Sequence, residues 1–273
     1  MFKVGLSTGV ECPKYCSNPC YFCTKETYID AELAKQTNVT AQINYMIGKI
    51  KNKVKAGGYI AYFQDGTSFS GDPLHLYNVF NEAAKHPDIL ELIISTRPDC
   101  LPIDLLNLLC NISKPITIEL GVQTVNEKSL KYLNRGHTHK ENQAAIDLLL
   151  KYSFKIGVHI ILGIPDESIV DVQKTLAWIN NNNIIKDVKI HHLAIFCGSK
   201  LATMVQKEDI IDLDSYIKIL SYFITHLRKD LTISRLFTSN LNRQQIMLNQ
   251  FPGFKRTWIN KFMNYHKSHK GKT

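Results

Sequence analysis

The sequence predicts an α/β protein in which a parallel sheet forms one barrel-like domain, and three observations support this. Apolar segments of strand length alternate with amphipathic segments of helix length through most of the 273 residues. The composition is 44% hydrophobic and 21% charged, which is typical of a folded globular protein. No Gly-, Ser- or Pro-rich linker is visible, so we expect one barrel over residues 1–212 and an extension over residues 213–273.

Strands and helices alternate in the predicted order of elements. Each strand is a short apolar run, and each helix shows apolar residues three and four positions apart. The predicted strands are Lys3–Ser7, Tyr59–Phe63, Leu90–Ser95, Ile116–Leu120, Lys155–Leu162 and Val188–Phe196. The predicted helices between them are Thr40–Lys55, Leu74–Lys85, Pro102–Cys110, Lys140–Tyr152 and Ile169–Asn180. Six apolar strands separated by helices indicate a parallel sheet, because parallel neighbours need crossover connections.

Turn residues mark several of these boundaries. Gly57-Gly58 precedes the second strand, and Ser70-Gly71-Asp72-Pro73 precedes the second helix. Beyond residue 213 the pattern predicts a helix over Asp214–Arg228, a short strand over Leu231–Arg235 and a helical, basic end.

The formal charge of +9 favours an anionic partner such as nucleic acid or a phosphorylated metabolite. Between residues 255 and 272 basic residues alternate with Trp258, Phe262 and Tyr265, a composition that suits RNA. An amphipathic last helix with a solvated tail explains the same pattern, and a general bias toward Lys, Ile and Asn explains part of the charge. No apolar run approaches the length of a membrane span and no signal peptide is visible, so we expect a cytoplasmic protein with no membrane contact.

Four of the seven cysteines lie within the first 23 residues, at Cys12, Cys16, Cys20 and Cys23. In a reducing compartment such a cluster indicates a metal site rather than disulfides. Zinc ordinarily takes four ligands in two separated pairs, whereas three closely spaced cysteines leave one iron of a [4Fe-4S] cluster open. The loop follows the first strand, at the end of the barrel where active sites lie.

Several ordered motifs resemble those of radical SAM enzymes. They comprise Cys12-Pro13, the Cys20-x2-Cys23 pair, Ser95-Thr96-Arg97-Pro98-Asp99-Cys100, Glu119-Leu120-Gly121-Val122-Gln123-Thr124, Leu133-Asn134-Arg135-Gly136-His137 and Leu162-Gly163-Ile164-Pro165. The branch they resemble is a small, functionally undefined group similar to the radical domain of the Elongator catalytic subunit and, more distantly, to oxygen-independent coproporphyrinogen oxidase. The resemblance extends from about Lys3 to Trp258.

This resemblance implies a partial (β/α)6 TIM-like barrel with a short C-terminal helical extension. It also implies that three cysteines bind a [4Fe-4S] cluster and that S-adenosylmethionine binds the open iron. Reductive cleavage of S-adenosylmethionine would then give a 5'-deoxyadenosyl radical, with an electron from a partner such as flavodoxin or ferredoxin. The substrate class that the resemblance favours is RNA, tRNA included. Radical chemistry on a small metabolite or a protein, and a non-enzymatic zinc-binding interaction protein, are the alternatives.

Carried over by position, the resemblance implies a set of cofactor-binding residues. Gln64 matches the segment that contacts the methionine amino group, and Arg97 matches a ribose contact. Gln123 and Arg135 match the residues that hold the ribose and the carboxylate. His159, Gly163 and Ile164 match positions beside the ribose and adenine, and His191, on the sixth strand, is expected to face the same end of the barrel.

The identity of the first cluster ligand is left open by the sequence. Family position favours Cys12, together with Cys20 and Cys23, whereas the spacing C-x3-C-x2-C favours Cys16. In the branch resembled, a long Gly-rich loop separates the first ligand from the C-x2-C pair, and here that loop is short. We expect Cys12 as the first ligand and Cys16 as its alternative.

Overall fold

The structure is a computed structural model that describes residues 1–24, 33–36, 38–52, 57–238, 251 and 253–269. Its strands are β1 (Phe2–Leu6), β2 (Tyr59–Phe63), β3 (Ile89–Thr96), β4 (Ile116–Gln123), β5 (Lys155–Leu162), β6 (Ile185–His192) and β7 (Thr232–Arg235). Its helices are α1 (Pro13–Ser17), α2 (Val39–Ile50), α3 (Pro73–Lys85), α4 (Ile103–Leu109), α5 (Glu127–Tyr132), α6 (His139–Leu149), α7 (Ile169–Asn181), α8 (Leu213–His226) and α9 (Lys255–His269).

The seven strands form one sheet in which they follow their order along the chain, from β1 to β7. The pairs β1–β2, β2–β3, β3–β4 and β6–β7 are parallel. Because parallel crossovers are right-handed, a sheet that grows in one direction keeps its helices on one face, as in β/α barrels. The prediction of an α/β fold of the partial-barrel type with a C-terminal helix is confirmed, and the short strand predicted over Leu231–Arg235 is β7, which pairs with β6.

Internal contacts divide the chain into two compact units. The first unit comprises Met1–Asn18, Lys25–Gly121 and Lys140–Gly157, and the second comprises Pro19–Thr24, Val122–His139 and Val158–Thr273. The boundary expected after residue 212 is a different division of the chain, and it stays a prediction.

In the first unit, both faces of the sheet are covered. Phe63 of β2 meets Phe80 of α3 edge to face, with ring centroids 4.8 Å apart. Successive strand residues point to opposite faces, so Tyr62 lies on the other face, where it packs with Ile60 and Ile93. Burial on both faces is typical of parallel strands and explains why β2 reads as a continuous apolar run.

Two helices, α3 and α7, are preceded by capping residues and begin near the positions that the sequence predicts. The Asp72 side chain accepts a hydrogen bond from the His75 N–H, and Pro73 takes the first position of α3. Ser168 and Asp171 form a capping box at the start of α7. Such side chains satisfy N–H groups that a helix end leaves without a partner. Within the described ranges, no helix combines the length and apolar character needed to cross a bilayer.

Some elements differ from the prediction. β6 ends at His192 rather than Phe196, because Leu193 and Ile195 continue the apolar pattern while packing against the cysteine segment. The helices α1 and α5 are too short and polar to give a periodic signal. Residues 53–55 of the predicted first helix lie outside the described residues.

An aromatic cluster in the second unit joins β6, α8 and α9. His192 lies 4.4 Å from Phe251 and 5.6 Å from Tyr216, measured between ring centroids. Trp258 of α9 packs edge to face on Phe251. Burial lowers the pKa of His192 to about 3, so its ring is neutral inside this cluster. The cluster attaches the C-terminal helix to the sheet.

The basic C-terminal segment is therefore an amphipathic helix. Trp258 and Phe262 are buried, so neither offers an open face on which a base could stack. Arg256, Lys261 and Lys267 are exposed on α9. Residues 270–273, which include the last two lysines, lie outside the described residues.

Candidate active site and cofactor-binding residues

The segment that leads from β1 into the cysteine loop is held by one carboxylate of the first unit. Asp65, which is 6% exposed, accepts hydrogen bonds from the Ser7 hydroxyl at 2.7 Å, the Thr8 N–H at 2.8 Å and the Thr8 hydroxyl at 2.7 Å. The Ser68 hydroxyl is a fourth donor at 3.3 Å. The Asp65 carboxylate, which follows Gln64, therefore stabilises the start of the loop, and its oxygens are already used as hydrogen-bond acceptors.

The later part of the cysteine loop is anchored within the second unit. The Tyr21 N–H donates to the Leu133 carbonyl at 3.0 Å, and Asn134 Nδ2 donates to the Pro19 carbonyl at 2.8 Å. The Leu201 N–H donates to the Tyr21 carbonyl at 2.7 Å. These bonds connect residues more than 100 positions apart, so the loop is fixed by tertiary contacts and not by its own short turns.

Arg135 is directed at the sulfur of Cys20. Its Nη1 lies 3.3 Å from Cys20 Sγ as a donor, and its guanidinium lies 5.8 Å from the centroid of the Phe22 ring. Cys20 and Arg135 are 4% and 5% exposed. A buried guanidinium that donates to a cysteine sulfur suits a thiolate ligand, whose orientation such outer contacts control. Cys23 is partly buried, and its N–H donates to the Cys20 carbonyl at 3.0 Å.

Gln123 occupies a strained turn at the end of β4. Its φ is +68°, and the Thr124 N–H donates to the Val122 carbonyl at 2.9 Å, which closes a γ-turn around it. The side chain is 5% exposed, and Oε1 has no hydrogen-bond partner among the described residues. Buried polar atoms are almost always paired, so an open acceptor on a strained residue indicates a binding position.

Two predicted residues of the first unit follow β2 and β3. Gln64 lies across Gly5, where an added Cβ would come 2.6 Å from Gln64 Nε2, so the glycine makes room for the amide. Arg97 is 4% exposed, and its Nη2 forms an ion pair with Asp99 at 2.7 Å. The Arg97 side chain is thus held by Asp99.

The two predicted histidines of the second unit contact each other. The ring centroids of His159 on β5 and His191 on β6 are 4.0 Å apart. Arg235 Nη1 of β7 lies 3.0 Å from His191 Nε2. Burial, followed by the charges of His159, Lys189 and Arg235, holds the pKa of His191 well below its ordinary value.

Gly163 and Ile164 form the turn after β5. Gly163 has φ +79°, and an added Cβ would come 2.5 Å from Ile211 Cγ2, so only glycine fits. Ile164 is buried in the same apolar cluster as Cys20. Glu167 follows, and its carboxylate accepts a hydrogen bond from the Thr124 hydroxyl at 2.6 Å. Burial raises the pKa of Glu167 to about 7.

The surroundings of Cys12 and Cys16 are described less fully than those of Cys20. Cys12 directly precedes α1 and makes no side-chain capping hydrogen bond, and a Cβ added to Gly66 would be 3.1 Å from its Cβ. Cys16 lies in α1, but its side chain is outside what the structure describes. Among the side chains that are described, no three of the Cys, His, Asp or Glu type come together as a metal site.

Sequence reasoning missed several residues that shape these sites. Glu167, Lys189 and Arg235 carry no motif. Glu167 accepts a hydrogen bond from the Thr124 hydroxyl, Arg235 contacts His191, and the charge of Lys189 lowers the pKa of His191. For Glu167 the available signal was its place four residues after the Gly163 turn. Lys189 and Arg235 gave no signal beyond a basic residue within an apolar strand.

Comparison with known proteins assigns the family. A family model described as the Radical SAM superfamily matches residues 10–179 of the chain. A relative from Methanocaldococcus jannaschii, the uncharacterized protein MJ0486, is 30% identical over 249 residues, which cover 86% of this chain and 75% of the relative. The chain belongs to the Radical SAM superfamily, and it is an enzyme.

Two further relatives are informative about neighbouring branches. The tRNA uridine(34) acetyltransferase of Methanocaldococcus infernus is 31% identical over 148 residues, which cover 50% of this chain and 27% of that protein. The solved structure of the archaeal Methanocaldococcus infernus Elp3 with its N-terminus deleted aligns with a TM-score of 0.71 at 18% identity. The alignment covers 98% of this chain and 63% of the Elp3 chain. Because the identity is low, the similarity shows the fold alone.

Members of this superfamily bind a [4Fe-4S] cluster and S-adenosylmethionine, and the surroundings of Cys20 and of Gln123 suit such groups. The Cys20 sulfur is buried and faces a guanidinium donor. The open acceptor of Gln123 suits a hydroxyl or ammonium donor of a ligand. The non-enzymatic zinc-binding alternative is set aside by the family membership.

Replacing Asp65 by Asn is expected to lower the free energy of unfolding by about 2–3 kcal/mol, because a buried carboxylate with four donors becomes an amide whose own N–H groups face donors. Urea unfolding followed by tryptophan fluorescence measures this. Asp104→Asn, on the exposed side of α4, is the control and should stay within about 0.5 kcal/mol of the parent. Equal unfolding of Asp65→Asn and the parent would show that this carboxylate does not hold the loop.

Glu167→Gln is expected to change the pH dependence of stability. The folded-state pKa of Glu167 is raised from 4.5 to about 7, so its favourable contribution is complete below pH 4.5 and is lost as the pH rises through about 7. Glutamine does not lose a proton, so the variant should gain stability relative to the parent between pH 5 and pH 8. Thermal unfolding across this range, with the exposed Glu208→Gln as control, measures the difference. A difference that is constant with pH would contradict the raised pKa.

Proposed function

We propose that the protein binds a [4Fe-4S] cluster through Cys20, Cys23 and either Cys12 or Cys16, and that it cleaves S-adenosylmethionine reductively. The observation that carries this proposal is the fixed Cys20, whose buried sulfur receives an N–H of Arg135. Hydrogen bonds to cysteine sulfurs set the reduction potential of iron–sulfur clusters. When bound, the cluster supplies the electron that splits S-adenosylmethionine into methionine and a 5'-deoxyadenosyl radical.

The chain's own residues would bind and orient the cofactor. Gln123 Oε1 would accept a hydrogen bond from a ribose hydroxyl of S-adenosylmethionine, since the backbone of Gln123 is already fixed in a strained turn and its side chain is buried. Binding to a group held in advance loses less entropy than binding to a mobile one. Phe22 and Ile164, in the apolar cluster with Cys20, exclude water from the sulfur.

The remaining proposed contacts follow the position of each residue in the fold. Gln64 would bind the methionine amino group, and Arg97, held by Asp99, would lie near the ribose. His159 and His191 would lie beside the ribose, with Gly163 and Ile164 beside the adenine. Arg135 would make two kinds of contact. Its guanidinium donates to the Cys20 sulfur, and the same group would donate to the carboxylate of S-adenosylmethionine.

We propose RNA, tRNA included, as the substrate class. Support comes from the tRNA uridine(34) acetyltransferase relative, which matches half of this chain, and from the formal charge of +9. The exposed Arg256, Lys261 and Lys267 of α9 would contact phosphates rather than bases. A small reducing protein such as flavodoxin or ferredoxin would deliver the electron.

Anaerobic reconstitution with iron and sulfide, followed by dithionite and S-adenosylmethionine, tests the reaction. We expect 5'-deoxyadenosine from the parent protein and its loss in Cys20→Ala. Loss in Cys12→Ala or in Cys16→Ala, but not in both, identifies the third ligand. Unmodified tRNA should increase the yield of 5'-deoxyadenosine if RNA is the substrate.

The matched control is Cys110→Ala, which removes an exposed thiol far along the sequence from the cysteine loop. This variant should keep the iron content and product yield of the parent. A parent protein that takes up zinc but no iron–sulfur cluster would contradict the proposal. A yield of 5'-deoxyadenosine that tRNA leaves unchanged would argue against the RNA substrate while leaving the cofactor chemistry intact.

A further inference from the structure

Polar side chains from three parts of the second unit contact the turn that carries Gln123. Thr124 belongs to this turn, Thr175 lies on α7, and Glu167 lies in the loop between β5 and α7. Thr124 and Thr175 are 1% and 2% exposed, so their hydroxyls interact with protein groups rather than with water. We refer to Thr124, Thr175 and Glu167 as the turn support.

The turn support pairs the backbone N–H groups that follow Gln123. The Val125 N–H donates to the Thr175 hydroxyl at 3.2 Å, and the Asn126 N–H donates to the Thr124 hydroxyl at 3.2 Å. The Thr124 N–H is used to close the γ-turn. Three consecutive N–H groups therefore have acceptors, and two of these acceptors are side-chain hydroxyls. These bonds fix the direction in which the backbone leaves Gln123.

The hydrogen bonds between the hydroxyls lead to Glu167. The Thr124 hydroxyl has one proton and donates it to the Glu167 carboxylate at 2.6 Å. In the contact of 3.3 Å between the two threonine hydroxyls, Thr175 is therefore the donor. Glu167 also accepts a hydrogen bond from the Ser129 side chain of α5, and its own N–H donates to the Ile164 carbonyl at 3.1 Å. The turn after β4 is thus connected to α5, to α7 and to the loop after β5.

The conformation that these bonds hold is unfavourable for Gln123 itself. Glycine adopts a φ of +68° without strain, whereas the side chain of glutamine makes this conformation costly. The Gln123 side chain is nevertheless buried, and its Oε1 has no hydrogen-bond partner among the described residues. A supported but strained residue with an open acceptor indicates a binding position rather than a part of the core.

We propose that the three residues of the turn support are positioning residues, which hold the Gln123 turn in the conformation that binds S-adenosylmethionine. The inference rests on the proposed function, in which Gln123 accepts a hydrogen bond from the ribose. The turn support acts through Gln123 and not on the cofactor itself. A turn held before binding loses little entropy when the cofactor binds, whereas a released turn would relax from its strained conformation and bind more weakly.

A double-mutant cycle on the affinity for S-adenosylmethionine tests this inference. Equilibrium dialysis with the reconstituted protein, its cluster kept oxidised so that no cleavage occurs, compares Thr124→Val, Gln123→Ala and the double variant. We expect Thr124→Val to bind about tenfold more weakly than the parent, because the turn loses a hydroxyl that two donors and one carboxylate use. Thr124→Ser keeps the hydroxyl and should bind like the parent. In the Gln123→Ala background, Thr124→Val should cause no further loss.

Thr117→Val is the matched control. Thr117 lies on the same strand, β4, and its hydroxyl donates to the Glu91 carboxylate at 2.8 Å. This variant also removes a hydrogen bond from threonine to a carboxylate, and it should bind S-adenosylmethionine like the parent. Hydrogen–deuterium exchange of residues 122–126, measured on protein without cluster or cofactor, should be faster in Thr124→Val and unchanged in Thr117→Val.

Additive losses in the double variant would overturn the inference, since Thr124 would then act independently of Gln123. Unchanged exchange of residues 122–126 in Thr124→Val would overturn it too. If Thr124→Val does not fold, Thr175→Val takes its place in both measurements, because it removes the acceptor of the Val125 N–H. Failure of the proposed function gives a different result, in which Gln123→Ala binds S-adenosylmethionine like the parent and the positioning role falls with the contact that it serves.

Discussion

The attachment of the cysteine loop at both ends is the constraint on which the site depends. A short loop with several cysteines has many conformations, and few of them present thiolates in a fixed geometry. In the first unit, the Asp65 carboxylate holds the residues just after β1. In the second unit, residues 133–135 and Leu201 bind the segment around Cys20 by backbone and side-chain hydrogen bonds. The contacts that form on folding therefore offset the conformational entropy lost when the loop is ordered. Cofactor binding does not have to offset this cost.

Strain is concentrated where the second unit would meet a ligand. Gln123 adopts a positive φ inside a γ-turn. Gly163 also has a positive φ, and the side chain of Ile211 leaves no space for a Cβ at this position. The Thr124 hydroxyl donates to Glu167, which joins the turn after β4 to the loop after β5. The strained backbone of Gln123 costs about 1–3 kcal/mol, so the surrounding contacts must keep it in place. These contacts form a support for the atoms that are proposed to bind the cofactor.

Much of the fold could be predicted because its signals are local. Apolar strands, amphipathic helices and the caps at Asp72 and Ser168 are visible in short windows of sequence. The end of β6 could not be predicted, since Leu193 and Ile195 satisfy the same apolar pattern by packing on the cysteine segment. The helix α5 has only six residues, too few for a periodic signal.

The candidate site was predictable where motifs carry it and unpredictable where long-range contacts make it. Gln123 and Arg135 were named from their motifs, yet the approach of Arg135 to Cys20 joins positions 115 residues apart. The burial of Lys189 and its alignment with Arg235 depend on the pairing of β6 with β7. Glu167 gains its raised pKa only from its buried position.

Electron paramagnetic resonance of the dithionite-reduced, reconstituted protein tests most directly whether this anchored loop holds a cluster that is open to S-adenosylmethionine. The account predicts the signal of a reduced [4Fe-4S] cluster, with g-values that shift when S-adenosylmethionine is added, because the cofactor would bind the iron left open by the three cysteines. A cluster signal that S-adenosylmethionine leaves unchanged, or a protein that forms no cluster, would contradict it.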